Sequence, residues 1–513
     1  MRRDSMVWSA LRKARRLNLA AQGRPMPELR AAGMTRRRVL AALAASAALP
    51  AAACGPVASG KGARVAVIGG GLAGLVALRD LTRAGIEATL FEARSRLGGR
   101  IHTIAAGDLK ADQGGQFING NHEDVLALAK TYGLGLIDRT KLEGRELMLD
   151  GGRIIGEEEL AEALQPIAGV IAADAAALDK DYEGVAPKLD ALSVAQYLDR
   201  HAQALARPYV RKLLEASIRT EFGQEPGEAS ALELIFNLPV SDGREYEVLS
   251  ESDERFVLQG GSGTLIAALA EELGPHIRTG RELKAIEATG DALKLRFADG
   301  NEAEADRVIV TLPAPLLRTI DFGGLLPEPW RQYAGEAGCG RNEKLNATYA
   351  HKVWEGGMGR TGAFWPLNGS FSEAWDATTV DAEAGLLTWF MGGDECARLE
   401  RTELAALRQA FETDAAIAIP GLGKAATGWQ RRTNWSGDRY ARGAYSCFTP
   451  GQLTRFASLF WIEEEGKATQ SAMAGRLAFA GEHLSDEWFG FMNGAAQTGR
   501  LAARAVLDAM GEG

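Results

Sequence analysis

Gly69, Gly71 and Gly74 stand in G-x-G-x-x-G spacing directly behind a short β-rich run, Val65 to Ile68. The pattern predicts a strand, a tight turn and a helix, with Leu75, Leu78 and Leu81 three apart and Gly85 placed to stop it. A second strand, Ala88 to Phe91, ends at Glu92, 18 residues past Gly74. In such a unit Gly69 permits the turn, Gly71 lets backbone approach a pyrophosphate, and Gly74 lets helix and strand pack closely. The helix N-terminus offers unpaired N–H groups and partial positive charge to phosphates. Glu92 is placed to accept hydrogen bonds from ribose hydroxyls. Strand, helix and acid all fall where dinucleotide binding needs them, so a dinucleotide is the expected ligand.

The chain that must position these residues has 513 of them, enough for two or three domains. Residues 1–38 carry 11 Lys/Arg against two Asp/Glu, a net of +9, so within a total of −9 the rest carries −18. An acidic body argues against nucleic acid as a partner. Four scattered cysteines without a C-x-x-C, and six histidines without H-E-x-x-H, give no disulfide framework and no metal spacing. Gly261-Ser262-Gly263-Thr264 fails the G-x-S-x-G nucleophile pattern.

The basic start reads as a targeting segment. Thr35-Arg36-Arg37-Arg38-Val39-Leu40 leads into an alanine-rich apolar run to Ala53, broken by Pro50 and too short to span a bilayer. It resembles a twin-arginine export signal, which implies a periplasmic protein that acquires its cofactor before export. Ala51-Ala52-Ala53 is a candidate cleavage site, and Cys54 a candidate lipid anchor. Nothing in residues 1–33 reads as foldable, and residues 1–54 are expected to be signal and disordered N-terminus. A linker, residues 56–62, precedes the first βαβ unit. Residues 121–255 read mainly helical, residues 258–312 return to α/β with a hairpin signal at Asp299-Gly300, and residues 339–436 mix strands and helices. A strand over Leu477 to Ala480 and a helix over about Met492 to Met510 close the chain.

Five further stretches carry a resemblance: Leu97-Gly98-Gly99-Arg100; Asp112-Gln113-Gly114-Gly115-Gln116-Phe117; the strand Leu283 to Ile286; KLNATYAHKVW, with Lys344 ten residues before Trp354; and Phe479-Ala480-Gly481-Glu482 followed by Trp488 to Ala495. With them, over about residues 63–510, the chain resembles the flavin-dependent amine oxidases, a superfamily of monoamine, polyamine and L-amino-acid oxidases. The resemblance implies an α/β fold. A Rossmann-like FAD-binding domain of the GR2 type (63–120, 256–338 and 437–510) would interleave with an α+β substrate domain (121–255 and 339–436).

It also implies roles. Arg94, Gly99 and Arg100 join the glycine turn in holding FAD, and Gly114, Gly115, Gln116 and Phe117 run beside the isoalloxazine. Backbone at Leu283 holds the adenine, Gly481 and Glu482 meet the ribityl chain, and Met492 lies near the ring. Lys344 holds a water near flavin N5, and Tyr445 with Phe491 forms an aromatic cage that guides the amine. Ala444 stands where monoamine oxidases tether FAD through cysteine, which implies non-covalent FAD; Cys447 is three residues off. Phe117 lies where amino-acid oxidases use a carboxylate-clamping arginine, and Asn119 where polyamine oxidases often place a charged residue.

The expected protein is an exported FAD-dependent amine oxidase that passes a hydride from a small amine to flavin N5. Oxygen or a periplasmic carrier reoxidises the flavin, and water hydrolyses the imine. The alternatives are an L-amino-acid oxidase with its clamp elsewhere, for instance on Arg431 or Arg432, a same-fold dehydrogenase, a C–C desaturase, and a flavin-binding scaffold without turnover.

Overall fold

The computed structural model describes residues 6–23, 63–141, 146–237, 239–241, 246–248, 252–356 and 362–511. The twin-arginine stretch, its apolar run and Cys54 lie outside the described residues. A six-stranded sheet grows around Arg64–Ile68, which pairs in parallel with Glu87–Phe91 on one side and Arg307–Val310 on the other. Ile277–Arg278 extends one edge, and Leu477–Phe479 pairs in parallel with Arg307–Val310. Arg307–Val310 and Leu477–Phe479 are buried at every residue, as strands covered on both faces must be. The helix Leu72–Arg83 follows the glycine turn, and Met492–Met510 packs against it. A methyl on Gly499 would come 2.3 Å from the Ala73 carbonyl oxygen, so these helices cross with their backbones nearly touching. The Asp299-Gly300 signal marks a true hairpin between Ala292–Phe297 and Glu302–Ala305.

A second, seven-stranded sheet runs in the order Ala426–Arg432, Asn342–Tyr349, Gly385–Gly392, Glu373–Asp376, Phe364–Pro366, Leu147–Asp150, Arg153–Ile155. Behind it Trp354, Phe364, Phe371, Trp389 and Phe411 form an aromatic core. Its last two strands sit in the stretch expected to be mainly helical. They are joined by Gly151-Gly152, both at positive φ (57° and 82°), a two-residue hairpin whose glycine pair was the available signal. The expected helices of that stretch are present as Glu123–Thr131, Glu157–Lys180 and Pro208–Phe222.

The N-terminus needs a correction. Residues expected to be disordered form the helix Met6–Ala21. Ala10, Leu11, Ala14 and Leu19 are buried against Glu157–Lys180, while the Asn18 side-chain amide donates to the Gln165 carbonyl at 2.8 Å. The arginines between these small apolar residues hid the stripe in the sequence. Glu157–Lys180 is, among the described residues, the one helix long and apolar enough to cross a membrane, and half of that window is buried inside the protein.

Candidate active site

Two chambers meet end to end. The first is lined by Gly69, Gly71, Glu92, Arg94, Gly99, Leu283, Gly481 and Glu482, and the second by Gly114, Gln116, Phe117, Lys344, Trp375 and Trp435. Arg100, Gly115, Ala444, Tyr445, Phe491 and Met492 line both and so mark the junction. Of the cofactor residues expected from the sequence, only Gly74 lies off the cleft. It works through packing: a methyl there would come 2.0 Å from the Gly69 carbonyl oxygen.

The first chamber suits a dinucleotide. Gly71 precedes Leu72–Arg83 with no side chain capping the helix, and a methyl on Gly71 would meet nothing within 4 Å, so bare N–H groups face open space. The second glycine turn folds onto the first, Gly98 N–H donating to the Gly70 carbonyl at 2.8 Å. Glu92 braces this turn, accepting from Gly70 N–H (2.6 Å) and Arg94 N–H (2.7 Å), which leaves each oxygen a further lone pair for a ribose. The Arg94 guanidinium is paired with Asp438 and lies over the Tyr440 ring. Deeper in, Arg100 donates to the Ala444 carbonyl and to Glu482, both at 2.8 Å. Glu482 also accepts from Ser446 Oγ (2.7 Å) and Gly490 N–H (2.8 Å). Burial favours its neutral form, but Arg100 and these donors win and hold its carboxyl below the usual range.

At the junction backbone replaces side chain. Methyls on Gly114 and Gly115 would strike the Arg100 carbonyl oxygen (1.7 Å) and Met492 Cγ (2.9 Å). Gln113 lines the second chamber, and its buried amide nitrogen has no hydrogen-bond partner among the described residues. A ring with acceptor atoms would satisfy it, as a flavin would. The Tyr445 hydroxyl is anchored on the Thr220 carbonyl, and Phe491 packs edge-on against buried His122 with centroids 5.1 Å apart. Among the described residues no histidine or cysteine lines either chamber; Cys447 is a buried thiol paired across strands with Gly338.

Lys344 comes from Asn342–Tyr349, a strand buried at every residue. Its Nζ donates to the Gly114 carbonyl at 2.7 Å and lies 3.4 Å from Gln116 Oε1, 5.5 Å from the Trp375 ring centre. Burial lowers its pKa to about 8, against the opposing pull of Asp112 and Glu254. Phe117 packs against Trp375 with the rings tilted by 59°, and the Arg139 guanidinium lies 4.2 Å from the Phe117 ring centre. Asn119 is not a cavity residue: buried, it accepts from Glu254 N–H at 2.9 Å and so holds the turn that carries Glu254 inward. Arg431 and Arg432 are exposed on Ala426–Arg432 and line neither chamber, which removes both proposed clamps.

The sequence left Glu221, Glu254, Glu373, Trp375 and Trp435 unmarked. All five line the second chamber, and none stands in a motif.

The family model for flavin containing amine oxidoreductase matches residues 72–507. The chain belongs to this family: it is a flavoenzyme and an oxidoreductase that acts on amines. Among its relatives, a flavin-containing amine oxidase of Danio rerio is 26% identical over 475 residues, covering 87% of this chain and 86% of the relative. A nicotine dehydrogenase of Pseudomonas putida is 27% identical over 462 residues, covering 86% and 88%. Among solved structures, putrescine oxidase bound to putrescine superposes with a TM-score of 0.73 at 20% identity, over 87% of this chain and 99% of that one. Cyclohexylamine oxidase from Brevibacterium oxydans gives 0.73 at 22% identity, over the same shares.

Proposed function

We propose that the cofactor is FAD, bound without a covalent link, and that the enzyme is an oxidase for small amines. The observation that carries this reading is the single cleft running from the glycine turn to Lys344 by way of Tyr445 and Phe491. Bound there, FAD supplies a hydride acceptor for the amine's α-carbon and a reduced form that oxygen returns to the oxidised state with release of hydrogen peroxide. The protein does the rest. Gly71, Gly99 and Arg100 hold the diphosphate, Glu92 the ribose, and Leu283 flanks the adenine. Gly481, Glu482 and Met492 border the ribityl chain and ring. Tyr445 and Phe491 orient the neutral amine and exclude water. Lys344 holds a proton and a water at the ring edge. We take 63–120, 256–338 and 437–510 as the FAD-binding unit and 121–255 with 339–436 as the substrate unit.

Ala444 offers no thiol at the junction, so denaturing the holoprotein is expected to release all of its flavin. Ala444→Cys is expected to leave part of the yellow colour in the acid precipitate; full release from that variant would place Ala444 elsewhere. The reading itself is tested by mixing the full chain, loaded with FAD, anaerobically with alkylamines and with L-amino acids. Bleaching by amines that lack a carboxylate is expected, with colour and peroxide returning in air. Bleaching by L-amino acids alone would overturn it. We also propose export to the periplasm through Arg36 and Arg37. Replacing both by Lys is expected to leave the protein in the cytoplasm, seen by fractionation.

A further inference from the structure

Glu221, Glu254 and Glu373 reach the second chamber from three unrelated segments: the end of Pro208–Phe222, the turn held by Asn119, and the strand Glu373–Asp376. None lines the first chamber, so they lie beyond the junction as seen from the dinucleotide end. Burial first, then neighbouring acids, pushes two of them up: Glu254 acts on Glu221, and Glu254, Glu146 and Glu221 act on Glu373. Arg139, the cation that eases Glu373, is ion-paired to Glu254 at 3.3 Å. Among the described residues no donor is hydrogen-bonded to the Glu221 or Glu373 carboxylate. The Glu254 side chain is 42% exposed and lines the same chamber. Trp375, Phe390 and Phe489 wall the same space with aromatic rings.

Glu254 shares Arg139, whereas Glu221 and Glu373 stand in the chamber without donors and are driven toward their neutral forms in the empty protein. A cation among the three favours their charged forms, and aromatic walls favour a cation. We propose that the preferred substrate is a dication, an α,ω-diaminoalkane or a close relative, with its reacting nitrogen at Tyr445 and Phe491 and its distal ammonium among Glu221, Glu254 and Glu373. This rests on the amine-oxidase reading and narrows it. Burial, then Glu254, pushes Glu221 up to about 8, so at neutral pH the arriving ammonium displaces a proton from it. The charge that Asn119 lacks is supplied by three other residues.

The test compares a homologous series of α,ω-diaminoalkanes with the matching n-alkylamines on the FAD-loaded full chain, reading anaerobic flavin bleaching. The best diamine is expected to exceed its monoamine about tenfold or more in rate over binding constant, since a charge-assisted contact is worth about that much. Its binding should also release more protons at pH 7, seen with an indicator dye in weak buffer. The paired substitution Glu221→Gln with Glu373→Gln is expected to bring the ratio within about threefold and to abolish the extra proton release. Because that variant has its own folding risk, Glu221→Lys provides a second arm: 4-aminobutanoate should gain on the diamines. Monoamines equal to or better than diamines in the wild type would overturn the inference while leaving the amine-oxidase reading intact. Bleaching by neither series would sink that reading instead.

Discussion

Lys344 illustrates how one residue is both visible in sequence and costly in structure. Its distance from Trp354 marks it, and burial then holds its pKa near 8 rather than 10.5. Between about 8 and 10.5 the unfolded chain carries the proton on Lys344 and the folded one does not, so stability rises with pH across that window. The activity has the opposite slope if the charged form assists oxygen. Flavin reoxidation is expected to slow as pH passes about 8, and Lys344→Met to slow it at least about tenfold and flatten the profile; stopped-flow mixing of reduced enzyme with oxygen reads both. A wild-type profile flat from pH 6 to 10 would remove the role. Arg100 makes a second prediction. Arg100→Met strands the Glu482 carboxylate and is expected to destabilise the protein by about 3 kcal/mol, with loss of flavin on purification. Glu482 is held below its unfolded value, so its stabilising share is present above the unfolded carboxyl pKa near 4.3 and disappears as pH falls through the folded one. Melting curves carried from pH 7 to below about 4 would show the difference between wild type and Arg100→Met shrinking only at the acid end. By contrast Glu221, Glu254 and Glu373 gave no sequence signal. A glutamate at a helix end, in a turn or in a strand reads as solvated surface, and only tertiary packing turns all three toward one space.

At the level of elements, the glycine-turn unit was legible because each position has a backbone reason. Gly74→Ala is expected to force the helix Leu72–Arg83 off the Gly69 turn, costing about 1–3 kcal/mol and leaving the purified protein depleted of flavin, as its absorbance ratio would show. The helix Met6–Ala21 was illegible for the opposite reason: its alanines and leucines are set among Arg12, Lys13, Arg15 and Arg16, a pattern shared with disordered basic tails. Its burial against Glu157–Lys180 predicts that Leu11→Ala destabilises the full chain by about 2 kcal/mol, measurable by denaturant midpoint, whereas an exposed tail residue would give no change. The strands Leu147–Asp150 and Arg153–Ile155 fell between the two cases, since a Gly-Gly pair between short apolar runs is a hairpin signal that helical neighbours on the C-terminal side obscured.

For the whole molecule, the return of the chain to its first sheet was readable from where the α/β patterning resumes, while the two-chamber cleft was not, because its junction joins Arg100 and Gly115 to residues 444–492, far away in the chain. That geometry also fixes a timetable. Gly481, Glu482 and Met492 follow Gly69 by about 400 residues, and the strand Leu477–Phe479 is laid beside Arg307–Val310 only when nearly all of the chain exists. At about 5–20 residues per second of synthesis, the glycine turn waits about 20–80 seconds for the other half of its cleft. The flavin therefore enters only once residues 481–492 have been made, and a chain stopped before them carries the glycine turn without the other half of its cleft.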